Sequence, residues 1–150
     1  MPTKLTDTEL RAWQALLHAH EQLVRVLDAE LRAEHGITLH DYDVLVRLAR
    51  AEDRTLRMSQ LAERVMVPPS TLTRRVDRLV ADGLVLRSRS PDDARLMLVR
   101  ISEDGLRIVR RAARTHLRGI REHFSRRLDE EQLRAVGDAL QTITGPHQPH

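Results

Sequence analysis

Apolar residues recur at intervals of three and four along most of the chain, which places them on one face of an α-helix. This spacing predicts a long N-terminal helix that opens at the capping-box pattern Thr6-Asp7-Thr8-Glu9 and ends at Gly36. A second helix is predicted to open at Thr38. Towards the end of the chain, Ser102 is expected to cap another long helix and Asp129 a final one. The pattern therefore predicts a mainly α protein.

The predicted helix over 69–82 combines an apolar stripe with a basic opposite face. Pro69 suits the first turn of a helix, and Gly83 suits its left-handed end. The stripe consists of Leu72, Val76, Leu79 and Val80. At about 100° per residue, the polar groups on the other side belong to Ser70, Thr71, Arg74, Arg75 and Arg78. Guanidinium and hydroxyl groups bond to base edges and phosphates of DNA, although a solvated basic face is the alternative.

A β-hairpin is predicted over 84–101, with a turn at 90–95 that is rich in proline and aspartate. Its first strand ends with Arg87 and Arg89. An ordinary surface hairpin is the alternative to a functional one.

The tip of this hairpin carries Arg95, which suits a narrow minor groove because negative potential is concentrated there. Asp93 is placed to hold Arg95 through a charge-assisted hydrogen bond. Together with the predicted helices at 58–65 and 69–82, the hairpin forms a helix-turn-helix with a two-stranded wing. This arrangement is typical of proteins that bind double-stranded DNA.

The terminal helices are more apolar in pattern than a DNA-binding head alone needs. We assign 38–101 to the head, 1–37 and 102–145 to a helical dimerisation layer, and 146–150 to a flexible tail. Packing of the terminal helices within one monomer is the alternative. We favour a homodimer, because a two-fold partner doubles the few phosphate contacts of a single winged helix.

Composition narrows the function classes. The chain has 150 residues, one expected domain, and a net charge of +3, which is small for a bulk polyanion binder. The absence of cysteine excludes disulfides, thiolate metal sites and cysteine-based peroxide sensing. No signal-peptide pattern, membrane-spanning apolar run, phosphate loop, nucleophile elbow or HExxH motif is visible. We therefore expect a cytoplasmic protein that has no membrane partner, no cofactor and no enzymatic activity.

The chain resembles the MarR family of bacterial transcription regulators along nearly its whole length. The resemblance is carried by the order of helices around MSQLAERVMVPPSTLTRRVDRLVADGLVLR, by the wing SPDDARLMLVRIS, and by the EDG that opens the next helix. It implies a dimeric winged-helix protein with interleaved N- and C-terminal helices. It also implies binding to palindromic operators, usually as a repressor, with release on binding a small ligand.

Carried over by position, the resemblance places a set of polar residues on the DNA-binding helix and wing: Ser70, Thr71, Thr73, Arg74, Arg75, Asp93 and Arg95. From the basic helix face and the first strand we add Arg78, Arg87 and Arg89. Pro68 and Pro69 stand where the family often has a serine-type cap and a polar or basic residue, and Ala94 occupies a frequently basic wing position. These departures bear on operator sequence and affinity rather than on the fold.

In this family the effector pocket commonly lies between the dimerisation layer and the DNA-binding domain. The candidates that border this region are Trp13, His20, Tyr42, Asp43, Val46, Arg47 and His116. Trp13, the only tryptophan, suits stacking on an aromatic ligand, with core or interface packing as its alternative. For His20 and His116, a buried and hydrogen-bonded histidine is the alternative.

No metal site is predicted from the spacing of the 8 histidines. His18 and His20 lie on different sides of their helix, and His116 and His123 are separated by about 10 Å along theirs, which is too far to share an ion. A site assembled from different helices stays open, and with it a metal-responsive regulator. The other alternative is a constitutive DNA-packaging or architectural protein without an effector.

Overall fold

The computed structural model describes residues 4–145 and places six α-helices around a three-stranded antiparallel sheet in that range. In chain order the elements are α1 (Asp7–His35), α2 (Leu39–Arg50), β1 (Thr55–Arg57), α3 (Met58–Val65), α4 (Pro69–Ala81), β2 (Val85–Arg89), β3 (Met97–Ile101), α5 (Glu103–His123) and α6 (Glu130–Thr144). The mainly helical fold with a β wing is therefore confirmed. The predicted tail at 146–150 lies outside the described residues.

Local capping signals set the helix ends where the sequence predicted them. Thr6, Thr38 and Asp129 each accept a hydrogen bond from a backbone N–H of the first helical turn, and each forms a complete capping box. Gly36 ends α1 in the left-handed conformation, with a φ of 68°. Pro69 is the first residue of α4.

A third strand joins the predicted hairpin. β3 lies in the centre of the sheet and pairs with β2 on one side and β1 on the other, so that Leu56 is opposite Val99. β1 follows a tight turn in which Asp53 and Arg54 both adopt positive φ. The prediction of a two-stranded wing was therefore incomplete, because three residues are too few to show the alternation of a strand.

The core of the head lies where α2, α3 and α4 pack on the sheet. Its most deeply buried side chains are Leu45, Leu48, Leu61, Leu72, Val76, Leu79, Val85 and Val99. Leu31 of α1 and Val109 and Ala112 of α5 belong to the same apolar cluster, because α5 packs against both α1 and α2. The head consequently shares one continuous core with α1 and α5.

Two parts of the terminal helices remain uncovered. Every residue from Asp7 to Gln22 in α1 is exposed, and α6 has no buried residue. The large apolar side chains exposed there include Leu10, Trp13, Leu16, Leu17, Leu140 and Ile143. No helix within residues 4–145 is long and apolar enough to cross a membrane.

Gly105 fixes how α5 leaves the wing. A Cβ at this position would lie 2.2 Å from the carbonyl oxygen of Leu84 and 2.7 Å from Cγ1 of Ile101. Only a residue without a side chain allows this approach. Ser102 reinforces it, since its backbone N–H donates to the Leu84 carbonyl oxygen at 3.0 Å.

We expect Gly105→Ala to lower the free energy of unfolding by about 1–3 kcal/mol, because the added methyl group forces α5 away from Leu84. The matched control is Gly137→Ala in α6, where an added Cβ meets nothing within 4 Å. That change should raise stability by about 0.5–1 kcal/mol through helix propensity. Urea unfolding followed by circular dichroism at one protein concentration measures both, and an unchanged midpoint for Gly105→Ala would contradict the packing argument.

Candidate nucleic-acid interface

The basic helix α4 buries one face and exposes the other. Leu72, Val76 and Leu79 are buried against the head, and the opposite face is open to solvent. Of the predicted DNA-contacting residues on α4, Ser70, Thr73, Arg74 and Arg78 are exposed, whereas Thr71 and Arg75 are half-buried. The predicted polar face therefore exists as a surface.

The N-terminal end of α4 carries neither a side-chain cap nor an acidic residue in its first turn. Pro68 occupies the capping position, and its carbonyl oxygen accepts from the N–H groups of Thr71 and Leu72. The positive end of the helix dipole is thus not compensated by a nearby carboxylate on α4, which suits an approaching phosphate.

Three of the predicted arginines are engaged within the protein. The Arg78 guanidinium forms an ion pair with Asp41 of α2, whose side chain is only 8 % exposed. Arg87 of β2 pairs with Asp77 of α4. Arg89 donates to the carbonyl oxygen of Ala94 at 2.8 Å. These contacts fix α4 to α2, the wing to α4, and the turn of the wing to its own strand.

Arg74 and Arg75 differ from these arginines. Within residues 4–145 neither forms an ion pair, and both lie on the outer half of α4. The Thr73 hydroxyl already donates a hydrogen bond within α4, to the carbonyl oxygen of Pro69 at 2.9 Å. The guanidinium groups that remain available on α4 are consequently those of Arg74 and Arg75.

The wing tip contains the predicted Asp93–Arg95 hydrogen bonds. Asp93 accepts from the backbone N–H of Arg95 at 3.0 Å and from its Nε and Nη2 at 3.1 and 3.2 Å. Contact with the Arg95 guanidinium and backbone N–H holds the pKa of the Asp93 carboxyl below its usual range. The Arg95 side chain is nevertheless 90 % exposed, so the pair orients a guanidinium without covering it.

The ligand candidates fall into two groups. Tyr42 of α2 and His116 of α5 lie in contact, with ring centroids 4.8 Å apart and planes tilted by 48°. On the same helix as Tyr42, Val46 is half-buried and Asp43 accepts from Nε of Arg47 at 3.1 Å. Trp13 and His20 lie instead on the exposed half of α1.

The imidazole of His116 is held in an apolar setting. Burial lowers the pKa of His116, against the opposing effects of Asp43 and Glu30. Its Nδ1 is buried and has no hydrogen-bond partner among the described residues. Burial also raises the pKa of the Tyr42 hydroxyl. Both shifts favour the uncharged side chains, and Nδ1 of His116 can still form a hydrogen bond.

Sequence reasoning missed Asp41 and Arg57. Asp41 holds Arg78 and also caps its own helix, and the capping pattern Thr38-x-x-Asp41 gave only the second role. Arg57 at the start of α3 adds positive charge near Asp93, which no local pattern indicated. Both depend on contacts between segments that are far apart in the chain.

Comparison with known proteins finds relatives among DNA-binding transcription regulators. The model of a MarR family matches residues 35–96, which span α2 to the wing. The curated "HTH-type transcriptional regulator PecS" from Dickeya dadantii is 28 % identical over 115 residues, covering 75 % of this chain and 69 % of that protein.

Two solved structures match almost the whole chain. AbsC, a MarR family transcriptional regulator from Streptomyces coelicolor, is 34 % identical with a TM-score of 0.89, covering 95 % of this chain and 96 % of that chain. Sco3205 from the same organism, solved in complex with DNA, is 31 % identical with a TM-score of 0.90, covering 99 % and 93 %. On this identity and coverage, the chain belongs to the MarR family of transcriptional regulators.

Proposed function

We propose that this regulator is a homodimeric repressor that binds a palindromic operator and releases it when a small aromatic or amphipathic ligand binds. The observation that carries the proposal is the division among the arginines. Arg78, Arg87 and Arg89 bind groups of the protein. Arg74 and the half-buried Arg75 have no ion-pair partner among residues 4–145, and Arg95 stays 90 % exposed although Asp93 binds it.

The positions of Arg74, Arg75 and Arg95 suit two grooves of one DNA duplex. A helix such as α4 fits the major groove, where Arg74 and Arg75 bond to guanine O6 and N7 or to phosphates, with Ser70 and Thr71 at the N-terminal end. Arg95 at the wing tip reaches the adjacent minor groove, as a pre-oriented cation. Base reading is thus assigned to α4, and anchoring to the wing.

The dimer is supported by the apolar side chains that this chain leaves uncovered. Leu10, Trp13 and Leu17 on α1 and Leu140 and Ile143 on α6 are exposed in one copy. A contiguous apolar surface of this kind marks an interface, and helices of a second copy have the matching apolar seams. Trp13 and His20 would then be interface residues, placed at the edge of the ligand site by the partner.

The ligand site is proposed at the Tyr42–His116 contact, between the head and the terminal helices. A buried Nδ1 without a partner has a free-energy cost that a ligand hydroxyl or carboxyl removes by bonding to it. Arg47 and Asp43 supply charge at the border, and Val46 supplies apolar surface. A small aromatic compound with one polar group matches this set.

We expect fluorescence anisotropy to show tight, salt-sensitive binding to the intergenic DNA upstream of its own gene and weak binding to a scrambled duplex. Arg74→Ala should weaken binding to the specific duplex by about 1–3 kcal/mol and binding to the scrambled duplex by less, because a base contact is lost. Arg95→Ala should instead lower the salt dependence by about one phosphate equivalent.

The control for these variants is Arg25→Ala, which removes an exposed arginine from α1 that pairs with Glu21 of the same helix. It should leave both affinities unchanged. Equal losses on the two duplexes for Arg74→Ala would refute base reading. If the wild-type protein shows no preference between the duplexes, the DNA-packaging alternative is favoured instead.

Sedimentation equilibrium at micromolar concentration should give twice the 17.3 kDa mass of one chain. Leu17→Glu places a charge in the proposed interface and should shift the protein to the monomer. Leu86→Glu is the matched control, since Leu86 is 59 % exposed on the wing against 49 % for Leu17. A wild-type monomer, or equal behaviour of the two variants, argues against the proposed interface.

A panel of small phenols and aromatic carboxylates should include compounds that release the wild-type protein from its operator. His116→Phe keeps the aromatic contact with Tyr42 but removes the polar Nδ1, so it should bind the operator normally and need at least about tenfold more ligand for release, the equivalent of one hydrogen bond of about 1.4 kcal/mol. His18→Phe on exposed α1 is the control. Unaltered ligand response in His116→Phe would place the effector elsewhere.

A further inference from the structure

We propose that α1 and α5 hold a divalent transition-metal ion of the Zn²⁺ type, bound by Glu30, Glu122 and His123. The proposal does not rest on the repressor function, because it concerns a second ligand site at a different set of residues. It also departs from the spacing argument, in which no pair of histidines was able to share an ion.

Three donor atoms meet where the C-terminal end of α5 crosses α1. One ligand atom from each of Glu30, Glu122 and His123 lies within 4.8 Å of the other two. The closest two, Oε1 of Glu30 and Nε2 of His123, are 2.6 Å apart. Zn²⁺ binds such atoms at about 2.0–2.2 Å, which sets tetrahedral ligand separations of about 3.3–3.6 Å. Small rotations of side chains bring the three atoms to that spacing.

The second carboxylate oxygen of Glu30 is an independent indication of a missing partner. Oε2 is buried, and no described residue donates a hydrogen bond to it. Its carboxylate lies directly against α5, since a Cβ on Gly119 would be 2.5 Å from Oε2 and 2.7 Å from Cδ2 of Leu27. The Glu30 side chain is 24 % exposed, so it is the single oxygen Oε2 that is shielded from solvent without a partner, and a cation beside it would complete its coordination.

The neighbouring polar groups do not compete for the ion. Glu34 accepts from the Thr115 hydroxyl at 2.8 Å and pairs with Arg118, and His35 lies 2.7 Å from the same hydroxyl. These four residues therefore bond to one another, about one helical turn from the proposed metal site. Glu30 and His123 have no other hydrogen-bond partner among residues 4–145 than each other.

The two carboxylates and the adjoining groove determine how a divalent cation would reach the site. A groove of about 290 Å³ includes Glu122 and is otherwise lined by Leu117 and by arginines at 114, 118, 121 and 126. These arginines oppose the approach of a free cation, and the carboxylates of Glu30 and Glu122 offset this repulsion by balancing the +2 charge. The groove supplies a path for the ion and space for a water molecule as the fourth ligand.

The donor set selects the type of metal. One imidazole nitrogen and two carboxylates, with no thiolate in the chain, are ligands of Zn²⁺ and related first-row ions rather than of Ca²⁺, which takes six to eight oxygens. Bound there, the ion links α1 to α5 at the C-terminal end of α5. It therefore acts as a clamp within the proposed dimerisation layer.

The test uses the full-length protein after removal of metal with a chelator, titrated with ZnCl₂ in the absence of DNA. A His147→Ala/His150→Ala background removes the imidazoles of the tail. In this background we expect one Zn²⁺ per chain by calorimetry and a rise in melting temperature with Zn²⁺ concentration. Glu30→Gln, Glu122→Gln and His123→Ala should each weaken Zn²⁺ binding at least about tenfold.

Glu122→Gln keeps the test decisive, because Glu122 is exposed and its replacement leaves the packing of α1 and α5 intact. His18→Ala, on exposed α1, should bind Zn²⁺ as the background protein does. Absence of stoichiometric binding, or unchanged affinity in Glu122→Gln and Glu30→Gln, overturns the proposal. Operator binding by the same preparations separates this outcome from a failure of the DNA-binding function.

Discussion

The buried carboxylate of Asp41 is the constraint on which the geometry of the DNA-binding head depends. Asp41 accepts from the backbone N–H of Thr38 and so closes the capping box of α2, while its other oxygen holds Arg78 of α4. A carboxylate removed from water needs such partners, and removal of one of them leaves an uncompensated charge. Half-exposure of the Arg78 side chain moderates that cost, since solvent screens the guanidinium. One residue thus closes the cap of α2 and ties α4 to that helix.

This arrangement explains why the basic surface of the head is less uniform than its composition suggests. Asp41 and Asp77 neutralise Arg78 and Arg87, and the Ala94 carbonyl oxygen engages Arg89. Of the arginines predicted to bind DNA on α4 and the wing, only Arg74 and Arg75 have no ion pair or side-chain hydrogen bond among residues 4–145, and both lie on one helix that is packed on the core. Few positive charges in fixed positions favour discrimination between sequences, whereas many mobile ones favour uniform binding to phosphates. The modest net charge of +3 agrees with the first case.

Most of the fold could be predicted from local sequence signals. The remaining features depend on contacts between residues far apart in the chain, which the sequence alone did not reveal. Thr6, Gly36, Thr38 and Pro69 act through neighbours within four residues, so the sequence alone located the helix ends. β1 has only three residues and exists because β3 pairs with it, which no window along the chain reveals. The same holds for Asp41–Arg78 and Glu30–His123, separated by 37 and 93 positions.

At the candidate sites, the sequence likewise indicated the types of residue involved but not their contacts in the folded protein. Hydroxyl and guanidinium groups on one helix face identified the polar surface of α4 from the sequence. The sequence did not show that Arg78 and Thr73 form bonds within the protein. Tyr42 and His116 were predicted as ligand candidates from their separate helices, and their direct contact emerged only with the packing of α2 on α5. For Trp13 and His20, the apolar seam of α1 predicted a buried face, whereas the part of the seam around them has no covering element within one copy.

These contacts connect the terminal helices to α4 through α2. Asp28 of α1 accepts from the backbone N–H of Leu39 at 2.8 Å, at the start of the helix whose Asp41 holds Arg78. Tyr42 lies next to Asp41 in the chain and contacts His116 of α5. A ligand shifts an equilibrium only as far as its affinity differs between two arrangements. Any ligand that acts on DNA binding from the Tyr42–His116 contact must therefore prefer one position of α2, because α2 contacts both the proposed ligand site and α4, the proposed DNA-binding helix.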